Sequence, residues 1–452
     1  GFAQTKDMPY GTYTVHQVSG WEGRELMDDF DVFIAKDAQT YRYLINNRNF
    51  ESYIQVVKVD AETGKTIPYA GAGFQIYDPS GNLITMEFTY PTPTTVDTFY
   101  TDANGSLVTP EKLPYGQGYS IVEVQSPYGY ILDSTPVYFD VAEENSSEES
   151  GVTVIKVEKT NMPQKGTISI EKTGEVFFGV SVSGGTDENG QELPVIYQPI
   201  YETQGLPDTV YEIRAAEDVV TPDGTLRYSK GELVDTVTTD EMGFAESKEL
   251  YLGKYEVKEV KAGYGMVLSD EVHTVELIYA GQNVAVTETA TSFVNERQKV
   301  EVSLEKALET SELFGVGNND EIKNISFGLF ADEELVSASG TSIPKDGLIE
   351  IITLDENGKA TVKTDLPLGS YYVKELATDE HYQLSSEKYP VVFEYAGQET
   401  ATVAIAVNNG EPMENKLIYG SVSGKKVDEN GEGLGGALIG LFKSDDVEFT
   451  EE

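Results

Sequence analysis

Four times along the chain an asparagine is followed, 11 residues later, by a lysine: Asn47 and Lys58, Asn161 and Lys172, Asn295 and Lys306, Asn415 and Lys426. The residues between them change each time, so the constant offset reports a repeated structural boundary and not a copied peptide. A chain of 452 residues has room for three or four domains of ordinary size. Its 28 Tyr, with abundant Thr and Val, favour strands over helices. The spacing and composition together predict an elongated all-β tandem array, each repeat opening near a Lys and closing at the next Asn.

Taken in order, residues 1–51 read as the second half of a repeat. PYGTYTVHQ and AQTYRYLIN form two predicted strands, with Tyr13, Val15 and Gln17 on one face of the first and Tyr41, Tyr43, Ile45 and Asn47 on one face of the second. Residues 52–163 make a complete repeat: strand IQVVKV, turn DAETGK, strand GFQIYD, turn PSGN, strand YSIVEV and closing strand VTVIKVEKTN. Residues 164–298 follow the same plan with a Gly-rich insertion, 299–417 follow it again, and 418–452 hold only a beginning. Repeats of about 110 to 130 residues suit a seven-strand immunoglobulin-like sandwich. Partial repeats at both ends fit a piece cut from a longer array.

Strand alternation shows which way the polar residues point. Ile54 and Val56 lead to Lys58, Ile168 and Ile170 to Lys172, and Val302 and Leu304 to Lys306, so a lysine is aimed at each core. Val422 gives Lys426 the same parity. Tyr119 and Ile121 lead to Glu123, Tyr255 and Val257 to Glu259, and Tyr371 and Val373 to Glu375. On the closing strands Phe293 leads to Asn295, and Ile155 and Val157 share the face of Asn161, with Lys159 intruding on it. Asn415 rests on the spacing. An unpartnered buried ammonium or carboxylate costs several kcal/mol, so three inward polar groups per repeat need a joint explanation. One account is a buried Lys–Glu ion pair hydrogen-bonded to Asn. The other is covalent: burial lowers the Lys pKa and raises that of Glu, and the neutral amine attacks the Asn carboxamide while Glu shuttles the proton to departing ammonia.

An opening-strand Lys, a late-strand Glu and a closing-strand Asn resemble the pattern of the Cna B-type, or SpaA-like, domains of Gram-positive adhesins and pilins. GYSIVEVQSPYGY at 118–130 is similar to their Glu-box, GKYEVKEVKAGYGM at 253–266 lacks its Pro, and GSYYVKELATDEHYQL at 369–384 keeps its first half. The resemblance implies an array of Cna B-type β-sandwiches with spontaneous isopeptide cross-links. It assigns Lys58 and Asn161, Lys172 and Asn295, and Lys306 and Asn415 to the bonds, with Glu123, Glu259 and Glu375 as their catalytic groups. In the first partial repeat Gln17 holds the Glu position, and an amide cannot exchange protons as a carboxyl does.

A net charge of −45 repels nucleic acid and anionic membrane. There are no cysteines, so neither disulfides nor thiolates contribute. No apolar run reaches membrane-spanning length, and residues 1–20 lack the basic start and apolar middle of a secretion signal. SIEK and SLEK carry the Ser-x-x-Lys spacing of acylating enzymes, but residues three apart on a strand face opposite sides. The TDENG, LDENG and VDENG stretches read as hairpin turns in preference to calcium loops. His16, His273 and His381 fall in separate repeats and form no zinc site within one repeat, and Trp21 reads as a packed loop anchor.

No metal, cofactor or turnover catalysis is expected. The expected role is the stalk of a wall-attached, extracellular Gram-positive surface protein or pilus, whose partners are the neighbouring domains of the same protein. The alternative is an adhesin module that binds a host matrix protein or glycan through a loop insertion, with 174–208 as its surface.

Overall fold

The computed structural model describes residues 1–149, 151–186 and 190–442. Strands form where alternation is unbroken. Residues 51–60 bury Ser52, Ile54, Val56 and Lys58 on one face, and the closing strand Val152–Asn161 spans the stretch that the sequence marks out. In segment 52–163 one sheet places Val137–Val141, Gly116–Gln125, Gly73–Tyr77 and Phe99–Tyr100 side by side. The other carries Ser146–Glu149, Val152–Asn161, Glu51–Asp60 and Ser106–Val108. Between them lies a core that includes Ile54, Val56, Phe74, Ile76, Ile121, Ile155 and Val157. Segments 164–298 and 299–417 repeat the arrangement around Ile170, Ile213 and Val257 and around Leu304, Leu329 and Val373.

The opening and closing strands of each repeat are neighbours and run parallel. Lys58 stands opposite Lys159, Lys172 opposite Phe293 and Lys306 opposite Met413. Each facing residue lies two before the closing asparagine, so Asn161, Asn295 and Asn415 share one diagonal offset from their lysines and one face of the sheet.

Chain contacts divide the molecule into two compact bodies. The first comprises Gly1–Val176, Tyr201–Gln298 and Tyr395–Ala401, the second Phe177–Ile200, Lys299–Glu394 and Thr402–Glu452. The insertion in 174–208 is β-structured: strands Lys165–Thr186 and Glu192–Gly205 are neighbours in one sheet. Within the second body Ile196 bridges to Leu348, and Phe177, Val180 and Tyr197 pack on the core of 299–417. Those three side chains are committed to packing, which narrows the surface the insertion has for a ligand.

Three local expectations are corrected. Gly11–Val15 pairs with Phe30–Ile34, while AQTYRYLIN at 38–46 forms no strand, because residues 1–10 supply no parallel partner of the kind that Glu51–Asp60 gives Val152–Asn161. Lys426 lies in non-strand chain and is exposed, as is Val422 at 83%, so parity does not turn it inward. Trp21 is 74% exposed instead of packed. Among the described residues no helix is long and apolar enough to cross a membrane.

Candidate functional site

In each repeat the Lys and Asn project from the sheet that joins the first and last strands, and the Glu projects from the facing sheet. The nine side chains are all buried, at 0 to 4% exposure. Directly opposite each Glu on the neighbouring strand stands an aromatic residue: Phe74 opposite Glu123, Tyr211 opposite Glu259 and Phe327 opposite Glu375. The amines sit over aromatic faces, Lys58 5.7 Å from the Phe74 ring centroid, Lys172 5.9 Å from that of Phe293 and Lys306 5.8 Å from that of Phe327. Apolar walls keep water from the polar groups, which strengthens their mutual interactions and penalises their charge.

The Glu bridges the other two groups. Lys172 Nζ lies 2.7 Å from Glu259 Oε2 and donates to Asn295 Oδ1, while Asn295 Nδ2 donates to Glu259 Oε1 at 2.6 Å. Lys306 Nζ donates to Asn415 Oδ1 at 2.5 Å and lies 3.3 Å from Glu375 Oε1. Asn415 Nδ2 donates to both Glu375 oxygens, at 2.8 and 3.0 Å, and Ser385 N–H donates to Oε2 at 2.8 Å.

The site in 52–163 differs in detail. Lys58 Nζ is 2.8 Å from Glu123 Oε1, an ion-pair distance without an aligned hydrogen bond. Asn161 Nδ2 donates to Glu123 Oε2 at 2.7 Å and to Ile131 O at 2.6 Å, and its Oδ1 has no hydrogen-bond partner among the described residues. Lys159, the intruder on the inward face, is satisfied by Asp133 Oδ2 at 2.7 Å and Thr135 O at 2.8 Å. Burial, partly offset by Glu123, pushes the Lys58 amine down to about 8, and burial also lowers Lys172 and Lys306 below the ordinary lysine range.

A turn fixes each lysine from beneath. Lys58 N–H donates to Gly105 O at 2.9 Å, Lys172 N–H to Gly243 O at 2.7 Å and Lys306 N–H to Gly358 O at 2.8 Å. Sequence reasoning does not single out these glycines; their signal is an Asp-x-x-Gly spacing in all three repeats. The LDENG stretch is one of them. Asp355 Oδ1 accepts the Asn357 and Lys359 N–H groups, as a tight turn requires, and in VDENG Asp428 Oδ1 likewise accepts from Asn430 and Glu432. TDENG includes 187–189, outside the described residues.

In the first partial repeat Gln17 does occupy the Glu role in hydrogen bonding. Its Oε1 accepts from Asn47 Nδ2 at 2.9 Å and from Met27 N–H at 3.0 Å.

Buried triads of one register, repeated along sandwiches that join first and last strands in parallel, define a tandem array of prealbumin-like β-sandwich domains. The family model described as the SpaA prealbumin-like fold domain matches residues 52–156, 201–291 and 315–409, more than half of the chain. The chain belongs to that family. Among solved structures it resembles the Bacillus anthracis TIE protein at 19% identity and TM-score 0.48, over 90% of this chain and 58% of that one. The match to BcpA, the major pilin subunit of Bacillus cereus, has 17% identity and TM-score 0.28 over 81% of this chain and 100% of the pilin. That to the pilus adhesin SpaC of Lactobacillus rhamnosus GG has 11% identity and TM-score 0.28 over 87% and 47%. The chain thus spans less than two thirds of the first of these proteins. No curated protein sequence matches it significantly.

Proposed function

We propose that the chain is a load-bearing segment of a Gram-positive surface protein or pilus, held together by intramolecular isopeptide bonds of its own making. The observation that carries this reading is the threefold recurrence of a buried Lys–Glu–Asn group at one register between the first and last strands. In the proposed reaction the neutral Lys Nζ attacks Asn Cγ, a C–N bond forms, and the Cγ–Nδ2 bond breaks. The Glu carboxyl takes a proton from Nζ and delivers one to Nδ2, which leaves as ammonia. Burial favours the uncharged amine, and the product amide has no charge to bury. Glu123, Glu259 and Glu375 would each act once, on their own chain.

Intact mass tests the chemistry. The purified chain is expected to fall short of its sequence mass by one ammonia for each of the three triads, and Glu123→Ala to restore one. A full sequence mass would leave only the ion-pair account. The expected partners are adjoining domains of the same surface protein and other pilus subunits.

A further inference from the structure

The boundary after Asn161 contains a buried glutamine, Gln164, only 1% exposed, whose carboxamide is fully engaged. Its Nε2 donates to Gly281 O at 3.0 Å and Val284 O at 2.5 Å, and its Oε1 accepts from Ala280 N–H at 2.8 Å. Ala280 and Gly281 belong to the turn Tyr-Ala-Gly-Gln at 279–282, and Val284 follows it by two residues. The same turn reaches back to segment 52–163. Gln282 Oε1 accepts from Ser126 N–H and Gln282 O from Leu132 N–H, both at 2.9 Å. Tyr279 donates its hydroxyl to Tyr130 O at 3.2 Å and packs its ring on Tyr128, with centroids 4.7 Å apart.

An atom-for-atom equivalent exists elsewhere in the first body. Gln298 Nε2 donates to Gly397 O and Thr400 O at 3.1 and 2.6 Å, and its Oε1 accepts from Ala396 N–H at 2.8 Å. Gln398 Oε1 accepts from Ala262 N–H and Gln398 O from Leu268 N–H, both at 2.9 Å. Tyr395 donates to Met266 O at 2.8 Å and packs on Tyr264 at 5.0 Å. Three elements therefore recur together: a Tyr five residues after the Glu, a Gln three residues after the Asn, and a Tyr-Ala-Gly-Gln turn in the following repeat.

At the boundary after Asn47 all three elements are missing, and at the boundary after Asn415 the first two are. Glu22 and Phe50 stand at the Tyr and Gln positions of the first partial repeat, and the corresponding turn of 52–163, after Val141, reads Ala-Glu-Glu-Asn-Ser. Val141 is the equivalent of Leu277 and Phe393 because the three stand opposite Gly116, Gly253 and Gly369. In the 299–417 repeat the Tyr and Gln positions hold Glu380 and Ile418.

We propose that the Tyr-Ala-Gly-Gln turn is a docking surface whose occupant is the end of the preceding repeat of the same chain, with the glutamine after the closing asparagine as its key. Boundaries with Phe50 or Ile418 at the key position are not locked in this way. The satisfied carboxamide gives the surface its specificity, since a residue without paired donor and acceptor would take away the partner of the Ala280 N–H and of the Val284 carbonyl and leave Gly281 O with the Val284 N–H at 3.2 Å. The inference stands whether or not the cross-links form, because its atoms lie outside the triads.

Amide hydrogen exchange on the full chain tests it. Gln164→Ala is expected to speed exchange about tenfold or more at Ser126 and Leu132, which Gln164 does not touch, while amides of Val210–Ala215 stay protected. Acceleration confined to Ala280 would reduce the contact to a local hydrogen bond and overturn the proposal. Should Gln164→Ala loosen Val210–Ala215 as well, Gln282→Ala decides. Its side chain reaches Ser126 alone among these amides, so faster exchange at Ala280 supports the docking surface and unchanged exchange there refutes it.

Discussion

At the scale of single residues the burial of Lys58 sets the pH behaviour of its site. With its amine at about 8, roughly a tenth of Lys58 is uncharged at pH 7, against about 3 in 10,000 for an ordinary lysine. Cross-linking in newly made chains should therefore quicken as pH rises towards 8 and level off above it, read as ammonia lost against time by mass spectrometry. Blocking the bond exposes the same titration in the stability. In Asn161→Ala the folded Lys58 releases its proton near 8 and the unfolded one near its ordinary 10.5. Between those values the unfolded state binds more protons, so the stability of the variant relative to the parent should rise with pH, by up to about 1 kcal/mol per unit. A flat difference would show that Lys58 carries no such penalty. These residues are legible in the sequence because a strand has a period of two: a lysine two positions beyond Ile54 and Val56 has to face the same core. Lys159 shows the limit of that reading, for parity puts it inside but only the fold supplies Asp133 and Thr135 to receive it.

At the scale of elements the turn beneath each lysine matters as much as the strands. Gly105 has φ +77°, and a Cβ on it would stand 1.8 Å from Ile67 O, in a turn whose carbonyl holds the Lys58 N–H. Gly105→Ala should cost about 3 kcal/mol or more and leave the chain one ammonia heavier than the parent. Gly64, at φ +70° with open space around its missing Cβ, is the control. Gly64→Ala should cost only about 1 kcal/mol and keep the bond, with thermal unfolding and intact mass reading both effects. Equal effects for the two would remove the turn from the site. The Asp-x-x-Gly spacing is visible in the sequence, yet any hairpin turn could carry it; what singles it out is the lysine it meets, which lies 47 positions earlier for Gly105. The strand in the insertion was open to reading too, since Phe178, Val180 and Val182 alternate with Phe177, Gly179 and Ser181. Its glycines suggest a loop only when that alternation is overlooked. Gln164 and the turn at 279–282 are the opposite case: each looks like polar loop, and nothing local joins residues more than a hundred positions apart.

At the scale of the whole molecule the parallel pairing of first and last strands determines how a repeat meets tension. The chain enters 52–163 at one end of the strand pair and leaves at the other, so a pull along the chain shears the ladder instead of unzipping it. Lys58 and Asn161 sit near the exit end of both strands, and a bond between them would carry the load from Glu51 through seven residues straight to Asn161. The span of 103 positions between Lys58 and Asn161 then lies outside the load path, as do the spans of 123 and 109 positions between Lys172 and Asn295 and between Lys306 and Asn415. Single-molecule pulling on the full chain should show none of these loops released before the tether breaks. Glu123→Ala should add one unfolding event that lengthens the chain by roughly 350 Å, the extended length of the freed loop, and leave the other two repeats silent. Release of loops of that length from the parent chain would mean that hydrogen bonds alone bear the force, and the triads would then be ion pairs that hold the core together without covalently sealing it.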